Sequence, residues 1–317
     1  MSVESIMIQD PEGTTSADVL VGFGFNCYRL QTIVSGQTID VLWSEPGFET
    51  GSKRASGSGI PILFPFPGRI KGTQFHWNDR AYPLEEGDGC GNAIHGFVHH
   101  RPWRLIDRGA DFVTAEFQPS IDDARLLDQW PSDFFLRATY RASKACLASH
   151  FEVENRGNEP LPMGLGTHPY FRLPLQSDSN ADDCRVQVPV SSSWELIEMN
   201  ATGKCLPLAD ALAYQTGLRF GDVRFDNVFS GLTGRPGQRE AQLHDSNPGC
   251  SVRIRWSDEF RELVVYTPPH REAICIEPYT CVPDAFRLAQ QNINAGARLL
   301  QPGESFQASV DILIADS

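Results

Sequence analysis

Short runs of β-branched and aromatic residues recur along the whole chain, each closed off by Gly, Pro, Asn or Asp. This punctuation limits the fold more than any other feature, because it is the pattern of strands joined by turns. Asp18–Ile33 reads as a strand with a hairpin partner in Thr38–Trp43. Asp111–Phe117 alternates in polarity, and Phe135–Tyr140 and Ala145–Val153 form a pair joined by a polar turn at residues 141–144. Cys184–Val190, Cys250–Trp256, Glu262–Tyr266, Ala273–Glu277 and Phe306–Ile314 continue the series. Helical stretches are few and short, Asp122–Gln129 and Asp284–Gln291, and 22 prolines and 27 glycines supply the turns.

The 317 residues correspond to about two domains at roughly 150 residues each, although a large all-β domain can use such a length as one unit. No internal repeat or low-complexity tract divides the chain. Ser52–Gly59 reads as a flexible loop and Gly231–Asn247 as a long polar connection, neither of them a boundary. Residues 1–317 are therefore read as a single all-β domain, a large antiparallel sandwich with long loops over one face.

Charge and motifs exclude several classes. Twenty-seven Lys and Arg against 40 Asp and Glu give a net charge of −13, a poor match to nucleic acid or an anionic membrane surface. No stretch reaches the length of a membrane span, and the first residues lack a basic segment followed by an apolar one. Eight scattered cysteines without a CxxC pair read as thiols in a reducing cytoplasm. Phosphate-binding loop, nucleophile-elbow and HExxH signatures are missing, and Gly22–Cys27 only begins like a dinucleotide-binding turn. A reaction without cofactor, or simple binding, is favoured.

Four segments carry candidate chemistry. In the Pro-rich run Gly59–Ile70, Arg69 sits on a rigid loop where its planar fork can donate to a hydroxyl or carboxylate. Asn92–Trp103 holds His95, His99 and His100; the first two have i, i+4 spacing, but Gly96 and Pro102 argue against a helix that would align them on a metal. His95 reads better as a polar pocket donor. In Leu161–Phe171 an extended backbone puts Gly164, Gly166 and His168 on one face, stripped of other side chains, which leaves space for a ligand or for close packing of another chain segment. In Arg271–Phe286, Ala273, Cys275 and Glu277 share one face and Ile274 and Ile276 the other, with Pro278 expected to end the ladder. A carboxyl group in so apolar a strand is desolvated, which raises its pKa toward that of a general base at neutral pH.

Read together, Leu63–Ile70, Asn92–Gly96, Gly166–Phe171, Arg224–Phe229, Cys275–Tyr279 and Leu300–Glu304, in this order, resemble the aldose 1-epimerase (galactose mutarotase) family over about residues 20 to 315. The resemblance implies a large antiparallel β-supersandwich and interconversion of the α and β anomers of a hexose, with neither metal nor cofactor and an aldose as small-molecule partner. It assigns Glu277 as general base, His168 as general acid, and Arg69, His95 and Asp226 as groups that hold the sugar. His168 is then expected to be at least partly protonated at pH 7, helped by a nearby carboxylate. Many galactose-type members carry Asn before a His-Ser-Tyr or His-Pro-Tyr segment where this chain has Gly166-Thr167-His168, so the preferred sugar stays open. The alternatives are a catalytically silent sugar-binding or regulatory protein, a mutarotase for a phosphorylated or sulfonated sugar with Arg101 or Arg172 as extra cations, and a glycosidase using Glu277 with Asp226. Oligomeric state is not readable.

Overall fold

Two antiparallel sheets hold most of the strands in the computed structural model, which describes residues 3–245 and 250–315. The larger has nine strands in the order Arg104–Arg108, Phe112–Phe117, Phe134–Ser143, Cys146–Asn155, Ser305–Ala315, Ser251–Trp256, Glu240–His244, Arg185–Gln187, Leu218–Arg219. Its central strands alternate in burial; every second residue of Ser305–Ala315 is buried. A period of two commits one whole face of the sheet to a core.

The second sheet, of eight strands, runs Asn200–Pro207, Ser192–Ile197, Asp226–Ser230, Glu262–Tyr266, Ala273–Tyr279, Gly166–Thr167, Ile62–Leu63, with Tyr170–Arg172 also paired to Ala273–Tyr279. Ala273–Tyr279 is buried at every position. Ile274 and Ile276 pack into the core shared with Phe151, Val252 and Ile312 of the larger sheet. Ala273 and Cys275 pack instead with Trp43 and Tyr170. The expected alternation holds, and it turns Glu277 away from the shared core. The all-β sandwich is thus present, with three short α-helices among the described residues. Among the described residues no helix is long and apolar enough to cross a membrane.

Several boundaries differ from the sequence reading. Asp18–Ile33 is two strands, Thr15–Leu20 and Asn26–Val34, separated by a turn in which Gly24 (φ +74°) packs so tightly that a Cβ would lie 2.0 Å from the carbonyl oxygen of His99. Pro278 does not end its ladder. It stands opposite Leu263, while Arg261 donates to Tyr279 O at 3.0 Å and Thr280 to Leu165 O at 2.9 Å, so the flanking residues carry the pairing. Asp284–Gln291 contains the helix Ala285–Gln290. Asp122–Gln129 does not form one helix. A turn at Pro119–Asp122 is broken at Asp123 (φ −158°) before a 3-10 segment at Ala124–Asp128. Ala211–Thr216 is helical without having been expected; the Asp210 carboxylate accepts from Ala213 N at 3.1 Å and caps it. The polar connection from Gly231 contains the strand Glu240–His244, and Ser246 and Asn247 lie outside the described residues. Ser52–Gly59 is no free loop: Ala55 and Ser56 are buried in a 3-10 turn.

One backbone crossing sets the position of His95. His95 (φ +66°) and Gly96 (φ +69°) are both left-handed, and a Cβ on Gly96 would meet Phe64 O at 2.1 Å. Gly96→Ala should lower the free energy of unfolding by about 1–3 kcal/mol through overpacking and positive φ, read as a lower midpoint in urea at unchanged slope. An unshifted midpoint would show that the crossing can relax.

Candidate active site

The outer face of the eight-stranded sheet forms the floor of a cleft of about 250 Å³. Glu277 reaches it from the central strand, His168 from just after Gly166–Thr167, and Asp226 from the first position of Asp226–Ser230. Arg69 and His95 come from the ribbon Arg69–Ile70 with Ala93–Ile94. Glu277, His168, Arg69, His95 and Asp226, the five residues that the family resemblance assigns, all line this one cleft.

Glu277 and His168 are both buried at its floor. His168 Nε2 lies 3.3 Å from Glu277 Oε1, with side chains 8% and 1% exposed. Glu277 Oε2 accepts from the Tyr279 hydroxyl at 2.7 Å, whereas Oε1 has no hydrogen-bond partner of good geometry. Burial raises the pKa of Glu277 well above its ordinary value, and the Tyr279 hydrogen bond opposes this. Burial lowers that of His168 to about 3. Desolvation disfavours charge on both groups, so the pair's proton rests on Glu277 rather than on His168. The sequence reading had the imidazole protonated with help from a carboxylate. The carboxyl group is there, but burial outweighs it. His168 is oriented by stacking on Tyr170 (centroids 4.9 Å, interplanar 11°) and by its own N–H, which donates to Pro61 O at 3.0 Å.

The glycines before His168 do not leave ligand space. A Cβ on Gly166 would lie 2.7 Å from both Pro67 Cβ and Tyr279 Cδ1, and one on Gly164 would lie 2.4 Å from Cys281 Sγ. Of the two expectations for this face, close packing is the one observed: Gly166 admits the Tyr279 ring that holds Glu277.

Arg69 is fixed by a residue the sequence reading missed. Its Nε donates to Asp88 Oδ2 at 2.8 Å. Burial pushes the Asp88 carboxyl upward, but hydrogen bonds from Asn92, Arg69 and Cys90 outweigh it and hold the pKa well below the usual range. The Gly-rich stretch Gly87–Gly91 around this lone acid was the available signal. Asp226, at the rim, has its carboxyl pKa raised by desolvation, with Arg69 opposing. His95 is buried; desolvation and then the neighbouring His168 and His99 lower its pKa far enough to keep it neutral, and its Nδ1 has no partner. Arg54 was also missed. It lines the cleft, its Nε donates to Ser56 Oγ at 3.2 Å, and among the described residues no carboxylate pairs with it.

Arg101 and Arg172, the proposed extra cations, do not line this cleft. Arg101 is committed to Asp123 at 2.9 Å. His95, His99 and His100 do not gather into a metal-ligating group. The group that does, among the described residues, is His168, Cys275 and Glu277, whose ligand atoms lie within 4.8 Å of one another. A cation there would occupy both members of the buried pair.

A β-sandwich with a buried carboxyl–imidazole pair at the floor of a polar cleft fits more than one class of protein, and comparison with known proteins narrows it. Residues 29–313 match the model of the family described as aldose 1-epimerase, and the chain belongs to that family. Protein LacX of Lactococcus lactis subsp. lactis is 23% identical over 258 residues, covering 80% of this chain and 81% of LacX. A galactose mutarotase-like protein from Clostridium acetobutylicum superposes with a TM-score of 0.86 at 22% identity, covering 100% of this chain and 99% of the other. A GalM/aldose epimerase homologue from C. elegans gives 0.82 at 16%, covering 99% of each. At these identities the structural likeness concerns the fold.

Asp88→Asn should remove the charge that fixes Arg69. Because the folded pKa of Asp88 lies below its unfolded value near 3.8, its contribution is present above that value and is lost as pH falls through the folded one. The variant should be less stable than the parent at pH 7 by about 1–2 kcal/mol, with the gap narrowing below about pH 4. A gap independent of pH would contradict this account of Arg69.

Proposed function

We propose that the chain is an aldose 1-epimerase that interconverts the anomers of a hexose through ring opening and reclosure, as one catalytic domain and without a resident cofactor. The observation that carries the reading is the 3.3 Å contact of His168 and Glu277 at the floor of the cleft, in a member of this family. Arg69, His95 and Asp226 are assigned to the sugar's hydroxyls and ring oxygen.

Catalysis starts from the charged form of the pair. The pair's proton moves from Glu277 to His168 as the bound sugar supplies polar contacts that burial denies, with the anomeric hydroxyl donating to Glu277 and the ring oxygen O5 facing His168. Glu277 takes the hydroxyl proton while His168 gives its proton to O5. The electrons of the O1–H bond form the carbonyl at C1 as the C1–O5 bond breaks. The aldehyde turns about C1–C2, and O5 adds to the other face, returning one proton to His168 as O1 takes the other from Glu277. Each positioned transfer contributes roughly 10²–10⁴-fold.

Polarimetry on freshly dissolved α-D-glucose and α-D-galactose tests the reading: the protein should speed the approach to an unchanged final rotation. Glu277→Gln and His168→Asn should each lower kcat by about 10²-fold or more while sugar still binds by calorimetry. Near-parental rates in either variant would remove that residue's role, and binding without turnover by the parent would favour a silent sugar-binding protein.

Tyr279→Phe deletes the hydrogen bond that holds the Glu277 pKa down. Because the resting pair carries its proton on Glu277, the basic limb of the profile of kcat/KM against pH should move to higher pH, and the plateau should fall as transfer of that proton to His168 becomes less favourable. A profile of unchanged shape would leave Tyr279 a packing residue.

A further inference from the structure

The central strand Ala273–Tyr279 carries a buried thiol that ring opening does not use. Cys275 stands two residues before Glu277, so the pleat sends both side chains to the same face. It has no exposed surface and packs with Trp43, Tyr170 and Ala273. The thiol does not line the cleft; it lies under the two groups that do, with the ligand atoms of His168, Cys275 and Glu277 all within 4.8 Å of one another. Packing alone would be met by any small residue at this position. It does not account for a thiol set beside a buried carboxyl oxygen, Glu277 Oε1, that has no hydrogen-bond partner.

The spacing is that of three corners of a tetrahedral metal site. Zinc bonds of about 2.1 Å to nitrogen and oxygen, opened to the tetrahedral angle, put the two ligand atoms about 3.4 Å apart. His168 Nε2 lies 3.3 Å from Glu277 Oε1. A zinc–sulfur bond of about 2.3 Å asks for edges of about 3.6 Å to the sulfur, so the 4.8 Å limit leaves the thiol a shift of no more than about 1 Å. The supporting contacts are in place: the Tyr279 hydroxyl holds Glu277 Oε2 at 2.7 Å, and the Tyr170 ring stacks on the imidazole. Outer contacts of this kind orient the ligands of metal sites. His168 and Glu277 line the cleft, so a cation enters from there and its fourth position faces the cleft.

Charge and ligand type narrow the ion. A thiolate and a carboxylate together offset a divalent charge, so the filled site is neutral, as burial requires. One nitrogen, one sulfur and one oxygen suit zinc, whereas magnesium and calcium take oxygen ligands. We infer that His168, Cys275 and Glu277 form a binding site for a thiophilic divalent cation, Zn²⁺, and that filling it switches off the acid–base pair. Only the second half rests on the mutarotase reading. On binding, the thiol and carboxyl protons pass to solvent, and sulfur, oxygen and the imidazole nitrogen each give an electron pair to the ion; nothing is oxidised or reduced.

The test uses the full chain carrying Cys90→Ser and Cys205→Ser, so that these exposed thiols do not contribute. Titration with Co²⁺ should bring up thiolate-to-cobalt charge-transfer absorption with the strong visible bands of a tetrahedral centre, and Zn²⁺ should displace them. Zn²⁺ at about ten times its measured Kd should slow anomer exchange of glucose or galactose about tenfold, and Mg²⁺ and Ca²⁺ should leave it unchanged. Cys275→Ser and Cys275→Ala should each weaken Zn²⁺ binding about 100-fold or more, since an outer contact alone is worth about 10–100-fold. Both should keep a cooperative urea transition and the parental metal-free rate. Absence of the cobalt absorption, or binding and inhibition that survive both Cys275 variants, would overturn the site. A parental rate with the site filled would overturn the switch. Cobalt absorption that the Cys275 variants lose, in a chain that exchanges the anomers of no sugar, would support the site and overturn the mutarotase reading.

Discussion

Glu277 and His168 are held at 3.3 Å behind almost complete burial, and most of the local architecture follows from what that burial requires. A polar group withdrawn from water without a partner is costly. The chain meets this cost in part: Tyr279 donates to one carboxyl oxygen, and Tyr170 stacks on the imidazole. The other carboxyl oxygen and His168 Nδ1 are left without a hydrogen-bond partner. Buried polar atoms that remain unmatched inside an otherwise well-packed sheet point to chemistry that completes them only part of the time.

The sheet makes this arrangement tolerable. Ala273–Tyr279 is flanked on both sides by hydrogen-bonded strands, and its inner face carries Ile274 and Ile276 into the shared core. Rigidity therefore comes from one face and the reactive groups stand on the other. His168 is not part of a long strand; it leaves the sheet at Thr167 and is anchored through Pro61 O. Close packing at Gly164 and Gly166 lets the Glu277 strand and the His168 segment approach each other. Glu277 and His168 are thus positioned by backbone, and Arg69 and His95 in the cleft wall come from the ends of a short ribbon.

Local alternation made much of this legible. The faces of Ala273–Glu277, the hairpin at residues 134–155 and the helix after Asp284 follow from spacing alone. What sequence reading missed depends on contacts distant in the chain. Nothing near Gly166 announces that Tyr279 fills the space beside it. Asp88 acquires meaning only when the ribbon brings Arg69 against it. The protonation of His168 was misjudged for a related reason. A neighbouring carboxylate could be anticipated from the segments, but the depth of burial that reverses its influence is a property of the assembled sheet.

Charge in the cleft narrows what can enter. Arg69 is neutralised by Asp88, so it offers directed N–H groups rather than net attraction. Asp226 and Arg54 are the charges left without close partners, and they are opposite in sign. His95 and His168 are kept neutral by burial. A cleft of this kind, lined by many hydrogen-bonding groups with little net charge, gains from a ligand that carries hydroxyls in several directions. Against a strongly anionic ligand Arg54 alone would have to offset the repulsion of Asp226 and the cost of leaving water, so the charge of the cleft walls disfavours anions independently of the buried pair.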